Sequence, residues 1–305
     1  MNSPLRIGTR ESQLALWQAH LVQRLLEEAG STTQVVHIKS DGDVDLHTPL
    51  YELGVQGIFT KSLDIALLKG DIDLAVHSMK DVPTQMAVGI VVAAVLERGV
   101  YQDILVPKTD ASFYGSSVPS VIGTGSIRRK AQWLNRFPED TVENLRGNVN
   151  TRLQRLADSL WDGAIFAAAG LERLGLRPAN AIDLDWMLPA PAQGAVVVVC
   201  RARDQKILEA CTPLHHAPTA LCTGIERSFL RALMGGCTTP ISALATWHAG
   251  RISFQGNVLS AEGRQRAEIV YDVPDHEAVN LGERAAKEVF AAGGREILEA
   301  FQRGK

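Results

Sequence analysis

Short apolar runs alternate with stretches of helical period along this chain. The run Leu5–Thr9 predicts a first strand, and Leu14, Trp17, Leu21 and Leu25 follow at three- and four-residue spacing, which predicts a helix. Ser12 suits its N-cap and Gly30 its stop, and residues 34–38 predict a second strand. A β-α-β opening of this kind argues for a parallel sheet with crossover helices. Residues 40–57 carry Gly42, Gly54 and Gly57 without any periodicity and predict a mobile loop of a length that is usually functional or disordered. A helix over 59–69 leads to Ile72–Val76, an apolar run long enough for a buried strand. That run stops at His77-Ser78, with Lys80-Asp81 next and Pro83 ending any further ladder. The apolar run 90–95 closes this first unit.

From Gly99 the pattern restarts. Strands are expected over 103–106 and 121–122, and Gly123-Thr124-Gly125-Ser126 opens a helix to Arg136 whose first turn holds Arg128 and Arg129. Such a turn offers backbone N–H groups and a positive dipole end to an anion. A strand over 142–145, the turn Arg146-Gly147-Asn148 and a helix over 149–156 bearing Arg152 and Arg155 come next, then a strand over 164–168 ahead of Arg173. The segment Leu188–Gly194 reads as a hinge. The apolar run 195–200 after it is expected to return to the first sheet, so that the chain crosses twice between two α/β lobes. Beyond Pro218, a helix to about Met234 ends at Gly235-Gly236-Cys237. Strands near 241–247, 252–259 and 267–273 then predict a small antiparallel α+β domain. The fold class is therefore α/β, with the first lobe over 1–97 and 195–214, the second over 98–194, and an α+β domain over 217–305.

Composition narrows the classes. A chain of 305 residues with 46% hydrophobic and 21% charged positions is globular and too long for one core. A formal charge of -3 gives no field toward nucleic acid or an anionic membrane. The triplet Arg128-Arg129-Lys130 has no nucleic-acid motif around it. No stretch has the length of a signal peptide core or a membrane span. Four cysteines without a C-x-x-C pair fit free thiols in a reducing cytoplasm. Their wide spacing, with His215 and His216 adjacent, makes a metal site unexpected.

Three features carry chemistry. Arg10, Arg128, Arg129, Arg146, Arg152 and Arg173 all fall just past a strand or in the next helical turn, the positions that face the ligand crevice of an open α/β sheet. Arginine forks bind carboxylates and phosphates bidentately, so together they would suit a polyanionic small molecule, while singly each reads as a solvated helix charge. Cys237 follows two glycines that let another group approach closely, and suits covalent attachment or nucleophilic attack. Asp81 could stabilise a cationic intermediate or simply accept loop N–H bonds.

Taken together, Thr9–Ser12, Ala75–Pro83, Gly123–Arg129, Leu145–Val149, Ala169–Leu171 and Gly235–Cys237 resemble, in order, the motifs of the porphobilinogen deaminase (hydroxymethylbilane synthase) family, over residues 5–300. The resemblance implies two lobes like those of periplasmic binding proteins and a third α+β domain. It implies a transferase of tetrapyrrole and heme biosynthesis that joins four porphobilinogen units into the linear tetrapyrrole hydroxymethylbilane, with loss of ammonia. It implies a dipyrromethane cofactor held by Cys237, with Asp81 catalytic. Lys80, Ser78, Thr124, Ser126, Arg128, Arg129, Arg146 and Asn148 would bind the cofactor, and Arg10, Ser12, Arg152, Arg173 and Gln193 the substrate. A cytoplasmic monomer without metal, nucleic acid or membrane is expected. The alternative is a non-catalytic two-lobe binder of a polycarboxylate. Departures from the family pattern are Glu52 and Gln56, where lysines are common, His47, Gly125 in place of a common Ser, and Ala192 in place of a usual Gly; Lys61 is kept.

Overall fold

The computed structural model describes residues 3–39, 60–234 and 239–303. The expectations for the loop 40–57 and for Cys237 therefore lie outside the described residues. In chain order the strands are β1 Leu5–Thr9, β2 Thr33–His37, β3 Leu74–Ser78, β4 Ile90–Val95, β5 Asp103–Pro107, β6 Val121–Gly123, β7 Thr141–Glu143, β8 Gly163–Ala167, β9 Ile182–Asp183, β10 Val196–Arg201, β11 Ile241–His248, β12 Arg251–Leu259 and β13 Arg266–Pro274. The helices are α1 Gln13–Glu28, α2 Lys61–Lys69, α3 Ile127–Arg136, α4 Val149–Asp158, α5 Ala168–Glu172, α6 Gln205–Cys211, α7 Ala217–Ala232, α8 Leu281–Val289 and α9 Arg295–Arg303.

The described residues form two compact units, one of 3–39, 60–99 and 194–221, the other of 100–193, 222–234 and 239–303. The first holds a sheet of order β2-β1-β3-β10-β4. Here β1 runs parallel to β2 and β3, while β10 is antiparallel to both β3 and β4. The return of 195–200 to the first sheet is thus as expected, but the sheet is mixed rather than parallel. A run of four valines is apolar on both faces and has no preferred direction of its own; the route of the incoming chain sets it. Arg201 fixes the end of β10, donating to Leu67 O at 2.5 Å and Ile72 O at 2.6 Å and pairing with Asp204 at 2.6 Å.

Helix α1 covers this sheet with Ala19, Val22 and Leu26, all fully buried against Ile7, Leu74 and Val198. Trp17 is 37% exposed and Leu21 and Leu25 lie at the flank. The buried stripe, Gln18, Ala19, Val22 and Leu26, is rotated by one residue from the expected one. Ser12 caps the helix through Ala15 N, and Gly30 closes it at φ 89° with its N–H on Glu27 O.

The second unit holds a sheet of order β7-β6-β8-β5-β9 and a three-stranded sheet β11-β12-β13. Strand β6 is parallel to β7 and β8, and β5 is antiparallel to β8 and β9. Along β5, Ile104 and Val106 enter one core with Phe166 and Leu156, whereas Leu105 enters the other with Ile122 and Trp133. This is the two-faced burial of an interior strand. The three-stranded antiparallel sheet is covered by α7 and α8, with Phe229 and Phe254 edge-to-face at 5.3 Å. Its other contacts pin α3: Gln132 Nε2 donates to Ser242 Oγ at 3.0 Å and Asn135 Nδ2 to Gly263 O at 2.7 Å.

Candidate functional site

In the first unit the candidate side chains lie at the carboxyl ends of the neighbouring parallel strands β1 and β3. Arg10 and Ser12 follow β1; Ser78 ends β3, and Met79–Asp81 form a 3₁₀ turn directly after it. Met79 N bonds to Ala195 O at 3.0 Å and Val82 N to Met79 O at 3.2 Å, which anchors the turn carrying Lys80 and Asp81. Both of those side chains are half-buried. Gln18 Nε2, on the sheet-facing side of α1, donates to Ser78 Oγ at 2.7 Å.

His77 is 6% exposed beneath this cluster. Burial, and then the positive charge of Arg10, push its imidazole down from 6.5 to about 4. A histidine held neutral in the fold but free to charge when unfolded makes stability rise with pH between those two values, by at most about 1.4 kcal/mol per pH unit. We expect urea unfolding to show this slope between pH 4.5 and 6.5 and His77→Gln to remove it.

In the second unit the equivalent edge is built from β6, β7 and β8. The turn after β6 holds Thr124, whose Oγ1 accepts from Ser126 N at 3.3 Å, and Ser126, which caps α3 through Arg129 N. A Cβ on Gly125 would lie 2.3 Å from Leu145 O, so the glycine lets this turn press against the segment bearing Arg146. Arg146 is 3% exposed. Asn148 caps α4, accepting from Thr151 N at 3.0 Å, and Arg152 Nε donates back to Gly147 O at 2.7 Å. Arg173 follows α5, and burial lowers its guanidinium from its ordinary value.

A residue that the sequence reading passes over lies at the middle of this edge. Asp103, the first residue of β5, is fully buried. Its Oδ2 is 2.7 Å from Arg128 Nη1, and its Oδ1 accepts from Arg129 Nε at 3.1 Å, Arg129 Nη2 at 2.8 Å and Gln193 Nε2 at 2.8 Å. Burial alone would raise this carboxyl; Arg128 and Arg129 outweigh it and hold it well below the ordinary carboxylate range. Gln193 itself is 1% exposed and also donates to Tyr101 O at 2.8 Å. The available signal was a charged residue opening an otherwise apolar strand.

The peptide before Gln193 is held from the third sheet's helix. Glu226 of α7 accepts from Ala192 N at 2.5 Å and Ala245 N at 2.8 Å. Ala192 stands at φ 62°, the left-handed region where glycine is favoured. We expect Ala192→Gly to raise unfolding free energy by about 0.5–1 kcal/mol in urea titration, as the Cβ strain exceeds the added chain entropy.

Two buried guanidiniums against a single buried carboxylate leave a surplus of positive charge at the strand ends of an α/β sheet. Residues 5–209 match the model of the porphobilinogen deaminase dipyromethane cofactor binding domain, and 220–291 that of the porphobilinogen deaminase C-terminal domain. The porphobilinogen deaminase of Syntrophotalea carbinolica is 41% identical over 304 residues, 98% of this chain and 96% of that protein. That of Moorella thermoacetica is 40% identical over 299 residues, 97% of this chain and 96% of that protein. Among solved structures, the BvgS periplasmic VFT2 domain of Bordetella pertussis is 10% identical, with a TM-score of 0.41 over 69% of this chain and 86% of that one.

The chain belongs to the porphobilinogen deaminase family, transferases that polymerise porphobilinogen on a dipyrromethane cofactor. Among the described residues no helix is long and apolar enough to cross a membrane.

Proposed function

We propose that this chain builds hydroxymethylbilane from four porphobilinogen units on a primer carried by Cys237, acting as a cytoplasmic monomer. The observation that carries the assignment of site residues is the surplus of buried positive charge: Arg128 and Arg129 share the single carboxylate of Asp103. A buried cation surplus is costly unless an anion meets it, and the acetate and propionate groups of pyrrole substrates supply that anion. The donor set therefore fits dipyrromethane, which when bound supplies the ring onto which each new unit is added.

Arg128, Arg129 and Arg146, with the Thr124–Ser126 turn and Asn148, bind cofactor carboxylates. Ser78 and Lys80 belong to the reading as further cofactor-binding residues. Arg10, Ser12, Arg152, Arg173 and Gln193 belong to the reading as the substrate side. Asp81, as a carboxylate on an anchored turn, accepts hydrogen bonds from pyrrole N–H groups and stabilises the cation left when ammonia departs. The same reading divides the chain into lobes over 1–97 with 195–214 and over 98–194, and a C-terminal domain over 217–305.

Intact mass spectrometry tests this. The purified protein is expected to exceed its sequence mass by two linked pyrrole units. A mass equal to the bare chain after incubation with porphobilinogen would overturn the reading.

A further inference from the structure

We propose that Asp103 is a positioning residue of this site: it locks the forks of Arg128 and Arg129 and the amide of Gln193 into one arrangement, leaving one surplus positive charge and one open guanidinium edge for a ligand carboxylate. The proposal rests on the deaminase reading and deepens it.

Asp103 is fully buried, so it acts through its neighbours rather than on substrate. Its backbone is rigidly set, paired with Ala167 in the β5–β8 ladder, with its carbonyl accepting from Leu184 N at 2.9 Å. From that fixed point one carboxylate reaches three side chains from two separate segments: helix α3 contributes Arg128 and Arg129, and the hinge contributes Gln193. Each arginine is also tied to backbone, Arg128 Nη1 to Leu188 O at 2.8 Å and Arg129 Nη1 to Ile165 O at 3.1 Å.

The two forks are used differently. Arg129 spends its Nε and Nη2, the edge suited to a bidentate carboxylate, on Asp103 Oδ1. Arg128 meets Asp103 and Leu188 through Nη1 alone. Among the described residues its Nε and Nη2 make no hydrogen bond. Asp103 thus braces one arginine and presents the bidentate edge of the other. Without its charge, two adjacent buried guanidiniums would repel, and Gln193 would lose one of its two acceptors.

Asp103→Glu keeps the charge and moves it by one methylene; Asp103→Asn keeps the shape and removes the charge. Both are compared with the wild type for melting, for the fraction of protein carrying the two-ring mass increment, and for kcat and KM. A shift of about 1 Å in a placed group costs up to ~10²-fold. We therefore expect folded Asp103→Glu to load less cofactor and lose at least ~10-fold in kcat/KM, although its melting stays close to wild type.

If Asp103→Asn does not fold, Gln193→Met removes the amide that donates to Asp103 and to Tyr101 O. Its loss and that of Asp103→Glu should combine to less than their product in the double variant, since both act through one carboxylate. Folded Asp103→Glu with wild-type loading and kcat/KM, or fully multiplicative losses, would overturn the proposal while leaving the deaminase reading intact. A wild type without the adduct would overturn both.

Discussion

Cys237→Ala should abolish the mass increment of two linked pyrrole units and reduce tetrapyrrole formation to background, while the protein still melts cooperatively. The family resemblance gives this role to Cys237, and the burial of the other three of the four thiols is compatible with it. Cys200 and Cys211 are fully buried and Cys222 is 5% exposed. Burial pushes the Cys200 thiol up to about 11 and the Cys211 thiol up to about 12, so neither supplies thiolate at neutral pH. Cys237 alone follows a Gly-Gly pair that admits a bulky substituent. An increment that survives in Cys237→Ala would place the attachment elsewhere and remove the role given to this residue.

Asp81→Ala is the second large effect, and it should separate priming from turnover. The variant is expected to carry the full mass increment yet turn over at least ~10²-fold more slowly, the scale for removing a preorganised group aimed at developing charge. The turn holding Asp81 is anchored by backbone bonds from Met79 and Val82, so the side chain can be removed without releasing the loop. Asp81→Asn, which keeps the volume, should be slowed to a similar degree because the charge is what acts. Turnover within a few-fold of wild type in Asp81→Ala would exclude Asp81 from the chemistry.

Much of the architecture was readable from residue order because the strands are short apolar runs bounded by polar turns. Val196–Cys200 is the clearest case, since a run that apolar must lie inside a sheet. Its direction was not readable, because a fully buried strand has no face to orient. The two-residue β9 is too short to leave a pattern. Helix α1 was placed correctly but turned by one residue, since counting large apolar side chains undervalues Ala19.

The positions of Arg128, Arg146 and Ser78 just past strands were readable because polar residues follow strands in regular places. The site was not legible where residues far apart in sequence meet. Asp103, Arg129 and Gln193 converge only through the sheet order that sets β5 beside β8 and through the fold of the hinge. Glu226 and Ala192 are likewise 34 residues apart. No spacing rule links such pairs. They become visible only once packing has brought a buried charge and its partners together.

The insertion of β10 has a consequence for how the chain assembles itself. In the sheet β2-β1-β3-β10-β4, the fourth position is filled by residues 196–201, made after everything else in that sheet. The sheet β7-β6-β8-β5-β9 draws only on 103–183 and has all its strands before β10 exists. During synthesis the native β3–β10 and β10–β4 ladders therefore cannot form until after the strands of the second sheet have been made. The β3–β10 ladder spans more than a hundred residues of sequence, from Leu74 to Cys200, and long closures of this kind are slow. Of the two five-stranded sheets, the one whose strands begin first is the one whose strands are completed second.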